Sequence, residues 1–264
     1  MSQGELYTFV TNKQGKGKQG SLVAVIRGTR AKDIVRVLEK IPLRLRQTVK
    51  EVTLDMAKNM ESASRQAFPE ARLVTDRFHV VKLVLEALQH TRIKYRWAEL
   101  DIENKAIEKC KKSGKKYKAP TLENGDTPKQ LLARSRYIIA KKPAQWTMRQ
   151  LERATMLFDR YPKIRKAYRH VLQFRSIYEL ESKSEAIKSF TKWIGKTEKL
   201  RIKEFNTAAN SVKNNIDNIL NFFDNRNTNA NAESFNSKIK LFRANLRGVT
   251  DTKFFLFRLQ NLFA

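Results

Sequence analysis

The apolar positions of this chain change their period along its length, and each change predicts an element. Over residues 5–10, Leu6, Phe9 and Val10 follow an extended pattern, and over residues 21–27 Leu22, Val23, Val25 and Ile26 follow another. Both predict strands. Between them, residues 12–20 read Asn-Lys-Gln-Gly-Lys-Gly-Lys-Gln-Gly, a flexible and basic hairpin loop. No Gly-Lys-Ser/Thr closes that loop, and no helix follows it directly, so it is not a Walker-type phosphate loop. Residues 31–41 then carry Ile34, Val35, Val37, Leu38 and Ile41 at helical spacing, ahead of Pro42. Residues 49–55 predict a strand that ends in the carboxylate of Asp55. Residues 59–68 predict a short helix stopped by Pro69, and residues 71–81 a strand running into a helix. Two antiparallel strands followed by helix, strand, helix and strand describe an α/β layer with mixed strand directions.

Past residue 82 the strand pattern ends. Residues 82–110 read as helix, with Leu83, Ala87, Trp97 and Leu100 as candidate inner positions. Residues 111–127 are a lysine-rich break containing Pro120 and Gly125, and helix resumes over 128–140. Thr147 with Gln150, and Ser182 with Glu185, have the spacing of capping boxes. Pro162 marks the end of one helix and the start of the next. Residues 200–223 complete the helical region. A polar, asparagine-rich break over 224–231 then precedes a final helix over 232–243 that carries Glu233. No internal repeat is visible.

Composition narrows the partners. The 264 residues hold 54 Lys and Arg against 26 Asp and Glu, a formal charge of +28. Such an excess costs self-repulsion and suits a polyanionic partner. Nucleic acid comes first, an anionic membrane second and an acidic protein third, while a basic protein without enzymology fits the same charge. The single cysteine, Cys110, excludes a disulfide framework and a Cys-based zinc site. No apolar run approaches the roughly 20 residues of a membrane helix, and the first residues lack an apolar signal core. The expected location is the cytoplasm.

Four acidic or titratable residues carry candidate chemistry. Asp55 closes an apolar strand, where it serves either as a functional carboxylate at a strand's carboxyl end or as a cap for the next helix. Asp76 and His79 form Asp-Arg-Phe-His, read as a hydrogen-bonded structural pair or a functional one; His90 and His170 offer no matching partners for a zinc site. Glu233 in a first helical turn suits the helix dipole as well as a ligand role. Lys238, Lys240, Arg243 and Arg247 follow it, interleaved with Phe235, Ile239, Leu241, Phe242 and Leu246. One face of that helix can pack on the sheet while the other meets phosphate. The cluster of Phe254, Phe255, Phe257 and Phe263 reads as core.

Three segments together resemble a known family. They are Val-Thr-Leu-Asp55-Met-Ala; Phe68-Pro-Glu-Ala-Arg-Leu-Val-Thr-Asp76-Arg-Phe-His79-Val-Val-Lys; and Asn229-Ala-Asn-Ala-Glu233-Ser-Phe-Asn-Ser-Lys-Ile-Lys240. The chain resembles the DDE transposases, and most closely those of the ISL3 group of bacterial insertion sequences. The resemblance spans nearly the whole chain and is weakest across the helical region. It implies an RNase H-like mixed sheet, with a large all-helical insertion before the last catalytic helix. Residues 1–82 and 228–264 would form the core, and residues 83–227 the insertion.

In such transposases three carboxylates hold two Mg²⁺ or Mn²⁺ ions that drive DNA cleavage and strand transfer. By motif, Asp55 would be the second carboxylate and Glu233 the third, with Asp76 and His79 supporting the site. Lys238, Lys240, Arg243 and Arg247 would contact DNA. The partners implied are double-stranded DNA, as element ends and as target, and a second copy on paired ends, near the nucleoid. The family's first aspartate lies on a strand before the one at residues 5–10, and neither Glu5 nor Asp33 matches its position. The zinc-binding and helix-turn-helix segments of the family have no counterpart either. The expectation is a truncated chain, catalytically dead and poorly stable alone, whose sheet an upstream strand would complete. Two rivals remain: a non-catalytic basic nucleic-acid-binding protein or transposase remnant, and an RNase H-like nuclease acting on RNA.

Overall fold

The computed structural model describes residues 6–15, 18–226, 230–246 and 251–264, with the backbone alone for 230–233. The chain divides into two compact units. One comprises residues 1–79 and 217–264, the other residues 80–216.

The first unit opens with β1 (Tyr7–Thr11) and β2 (Leu22–Arg27), paired antiparallel from Tyr7 opposite Arg27 to Val10 opposite Ala24. The register slips between Val10 and Thr11. The turn after β2 depends on Gly28, whose φ of 89° suits a residue without a Cβ; Thr8 donates its hydroxyl to the Gly28 carbonyl at 2.7 Å. Helices α1 (Ala31–Leu38) and α2 (Leu43–Arg46) follow. Then comes a strand–helix–strand unit: β3 (Glu51–Leu54), α3 (Lys58–Ala67) and β4 (Arg72–Thr75). β3 and β4 pair in parallel, from Glu51 opposite Arg72 to Leu54 opposite Thr75. A parallel pair needs a crossover, and α3 supplies it. Pro69 pushes Phe68 out of helical geometry, to φ −127° and ψ 74°, and so ends α3.

Ile34, Val35 and Leu38 of α1 pack with Ala63 and Ala67 of α3, Phe68, and Ile26 of β2 in one buried cluster. The side chain of Lys13, at the β1–β2 tip, reaches Glu51 and Thr53 of β3. Among the described residues the four strands form two sheets of two strands, not one mixed sheet. Among the described residues each strand pairs with one other strand.

The chain enters the second unit within α4 (Arg77–Lys112) and continues through α5 (Pro128–Arg134), α6 (Met148–Arg160), α7 (Pro162–Ile177), α8 (Lys183–Leu200) and α9 (Lys203–Asn214). Its core is aromatic: Phe174, Tyr178, Phe190, Trp193 and Phe205 are all buried. Thr147 caps α6 with the reciprocal Gln150 bond, and Pro162 opens α7, as their spacing predicts. Ser182 accepts from the Glu185 N–H at the start of α8. One expectation fails here. Trp97 of α4 is 62% exposed.

The helical stretch expected over 200–223 is broken into α9, α10 (Ile216–Leu220) and α11 (Phe222–Asn225). Residues 217 onward belong to the first unit, which α12 (Ala230–Asn245) and α13 (Thr252–Phe263) complete. Phe235 and Ile239 of α12 are buried with Leu22 of β2 and Leu259 of α13. Phe255 and Phe263 pack partly against that cluster. Phe254 and Phe257 are exposed, so half of the expected phenylalanine core faces solvent. No described helix is long and apolar enough to cross a membrane.

Candidate active site

Two aspartates meet at the carboxyl ends of the parallel strands. The last paired positions are Leu54 and Thr75. The Asp76 N–H donates to the Leu54 carbonyl at 2.9 Å, so the ladder runs one bond further. Asp55 and Asp76 are therefore the next residues of neighbouring strands that lie about 4.8 Å apart. The carboxyl ends of parallel strands are where an α/β sheet opens a crevice.

Each aspartate spends one oxygen on its own turn. Asp55 Oδ1 accepts from the Ala57 N–H at 2.9 Å, which sets the chain's entry into α3. Asp76 Oδ1 accepts from the Phe78 N–H at 3.2 Å and caps α4. Neither bond uses Oδ2, and the N-cap of α3 is Ala57 rather than Asp55. Asp55 makes no ion pair among the described residues. Asp76 is only 1% exposed, and its Oδ2 is buried with no hydrogen-bond partner. A buried carboxylate oxygen left alone costs free energy. Ordinary ways to offset that cost are a proton, a water molecule or a cation.

Two residues before Asp55 on the same face of β3, Thr53 receives the Lys13 ammonium, as does Glu51 beyond it. His79 sits in the first turn of α4, where its N–H donates to the Asp76 carbonyl at 3.1 Å and its ring meets Phe78 edge-on. Phe78 itself is exposed beside the two aspartates.

The remaining residues singled out by sequence lie on α12. Its backbone is held against β2 by Phe235 and Ile239. The side chain of Glu233 lies outside the described residues, as does Arg247 entirely. Lys238, Lys240 and Arg243 are exposed, and the Arg243 guanidinium lies 5.9 Å from the Phe255 ring centroid. Among the described residues no group of three or more His, Cys, Asp or Glu side chains could hold a metal ion. Asp55 and Asp76 make two.

A family model described as Transposase, of the ISL3-group DDE type, matches residues 1–259. The chain belongs to the ISL3-group DDE transposases. No curated protein and no solved structure gives a match. Membership places this transposase in a class of DNA-binding, DNA-cleaving proteins of transposition that use divalent metal. The geometry adds a detail to the transposase motifs that sequence reasoning understated: Asp76 is the lateral neighbour of Asp55. The signal was available, since two four-residue apolar strands each end in aspartate and a short helix joins them.

Proposed function

We propose that the chain is the catalytic core of a transposase that cuts DNA at the ends of an insertion sequence and joins the strands to target DNA. The observation that carries this reading is the aspartate pair closing β3 and β4, with a buried Asp76 oxygen that no described group satisfies. Carboxylate oxygens are hard donors and fit Mg²⁺ or Mn²⁺. When bound, such ions activate an oxygen nucleophile and stabilise the leaving oxygen of an in-line displacement.

In this reading Asp55 and Glu233 hold the ions. The Ala57 N–H fixes one oxygen of Asp55, so its carboxylate is oriented before any ion arrives. Asp76 adds negative charge beside it, and His79 in the following turn supports that position. The docking of Phe235 and Ile239 on β2 sets the path of the helix that carries Glu233. Lys238, Lys240, Arg243 and Arg247 line the DNA backbone. Residues 1–82 and 228–264 form an RNase H-like core around a helical insertion at 83–227. The antiparallel β1–β2 pair and the β3–α3–β4 crossover support that assignment. Paired element ends favour a homodimer, working at the nucleoid in a bacterial cytoplasm.

The test is cleavage of a supercoiled plasmid carrying the element's ends. Mg²⁺-dependent cleavage is expected of the unaltered protein, and Asp55→Asn or Glu233→Gln abolishes it. Cleavage that persists in both variants sinks the catalytic assignment.

A further inference from the structure

The second unit contains a group of arginines with no acidic partner among the described residues. Arg92 of α4 is 5% exposed. Its Nε donates to Gln89 Oε1 at 2.8 Å and its Nη1 to the Leu132 carbonyl, near the end of α5, at 2.9 Å. Gln89 in turn donates to the Arg136 carbonyl at 2.7 Å, which holds the segment after α5 against α4. The Arg136 guanidinium lies 5.3 Å from the centroid of the exposed Tyr137 ring. Arg96, one helical turn beyond Arg92, is exposed on the same side of α4.

None of the three forms an ion pair among the described residues. The nearest acid along α4, Glu99, accepts from Tyr161 and pairs with Arg160. Burial holds the Arg92 guanidinium below its ordinary range, and the charges of Arg96 and Arg136 lower it further. Three arginines are thus gathered on α4 and the segment that Gln89 holds against it, and the Arg92 guanidinium is buried and bonded only to neutral oxygens. These bonds use two of the five N–H groups of Arg92, one to Gln89 of α4 and one to α5, and do not explain why two more cations stand beside it.

We propose that Arg92, Arg96 and Arg136 form a phosphate site for the backbone of double-stranded DNA. Planar guanidinium forks match phosphate oxygens. A phosphate here offsets the buried charge of Arg92, while the exposed Arg96 and Arg136 reach the strand as it passes. The proposal rests on the DNA-binding part of the transposase reading but needs no catalysis, and it gives the helical unit a part in holding the duplex.

The test uses Arg96→Gln/Arg136→Gln in the full chain, which leaves the buried Arg92 and its bonds in place. Lys163→Gln/Lys166→Gln, on the exposed side of α7, removes equal charge elsewhere. Duplex affinity is measured against salt. The arginine pair is expected to lower the slope of log K against log salt by about 1.8, the loss of two phosphate contacts. The lysine pair is expected to lower it by less than half as much. Millimolar inorganic phosphate is expected to raise the unfolding temperature of the unaltered chain more than that of the arginine variant.

An unchanged slope in the arginine variant, or equal losses in the two variants, overturns the site while leaving the transposase reading intact. Stabilisation by phosphate with an unchanged slope assigns the three arginines to a free phosphate compound and overturns the DNA assignment. An unaltered chain that binds no duplex overturns both.

Discussion

Two buried side chains show how differently a titratable group can be housed in this chain. Asp76 keeps one carboxylate oxygen without a partner at the mouth of a parallel strand pair. His170 lies 4% exposed among helices, stacked on the Trp193 ring at 4.5 Å between centroids, with Nε2 2.7 Å from the Thr197 hydroxyl. That hydroxyl donates to the Trp193 carbonyl, so it accepts from His170 and assigns the Nε2–H tautomer. Every polar need of the neutral ring on that side is met locally, which marks His170 as structural. Burial, with Lys196 adding to it, lowers its pKa from 6.5 to about 4. The native ring thus stays neutral while the unfolded ring gains a proton below pH 6.5. Its contribution to stability is complete above that pH and is lost as pH falls toward 4, by about 3 kcal/mol in all. Urea unfolding from pH 7 to 4 is expected to lose that much less stability in His170→Gln than in the unaltered chain. Equal acid sensitivity in the two contradicts it.

Between elements, the segment before α5 is tied down by one carboxylate. Asp126 is fully buried; its oxygens receive Arg134 from α5 and, at 2.9 Å, Arg153 from α6. Burial raises its pKa, but the two guanidinium groups outweigh that and hold the carboxyl below its ordinary range. Asp126→Ala is expected to cost about 3 kcal/mol in urea unfolding, the low end for a broken buried pair because Arg134 stays half in water. A loss below about 1 kcal/mol rules out this role. Nothing in the linear pattern announced Asp126, Arg92 or His170. Asp126 and Arg92 lie in polar or basic stretches that read as a solvated surface, and only tertiary packing buries them. The amphipathic elements were legible for the opposite reason. In α1 the apolar positions fall on one face, and in β4 a run of Leu73, Val74 and Thr75 is buried on both. The 36-residue α4 hid its inner face, since Val80, Val84 and Leu88 are buried in its first half while Trp97 and Ile102 are exposed further along.

For the molecule as a whole, the family motifs named candidate residues but left their assembly open. Asp55 and Asp76 are neighbours because β3 and β4 pair in parallel with equal lengths, a register that spacing alone does not specify. Glu233 is carried on a helix whose apolar face meets β2 of the other sheet, so its placement depends on a docking that no local pattern encodes. The net charge of +28 holds this chain ready for a polyanion and works against its own compactness. The account stands or falls on whether Asp55 and Glu233 converge on one ion beside Asp76. Crystals of the chain grown with Mn²⁺, read by the anomalous scattering of the metal, decide it. The expected result is a manganese peak about 2.1 Å from carboxylate oxygens of Asp55 and Glu233, with Asp76 alongside. A Glu233 carboxylate on the far side of the unit, with manganese absent from the ends of β3 and β4, contradicts it.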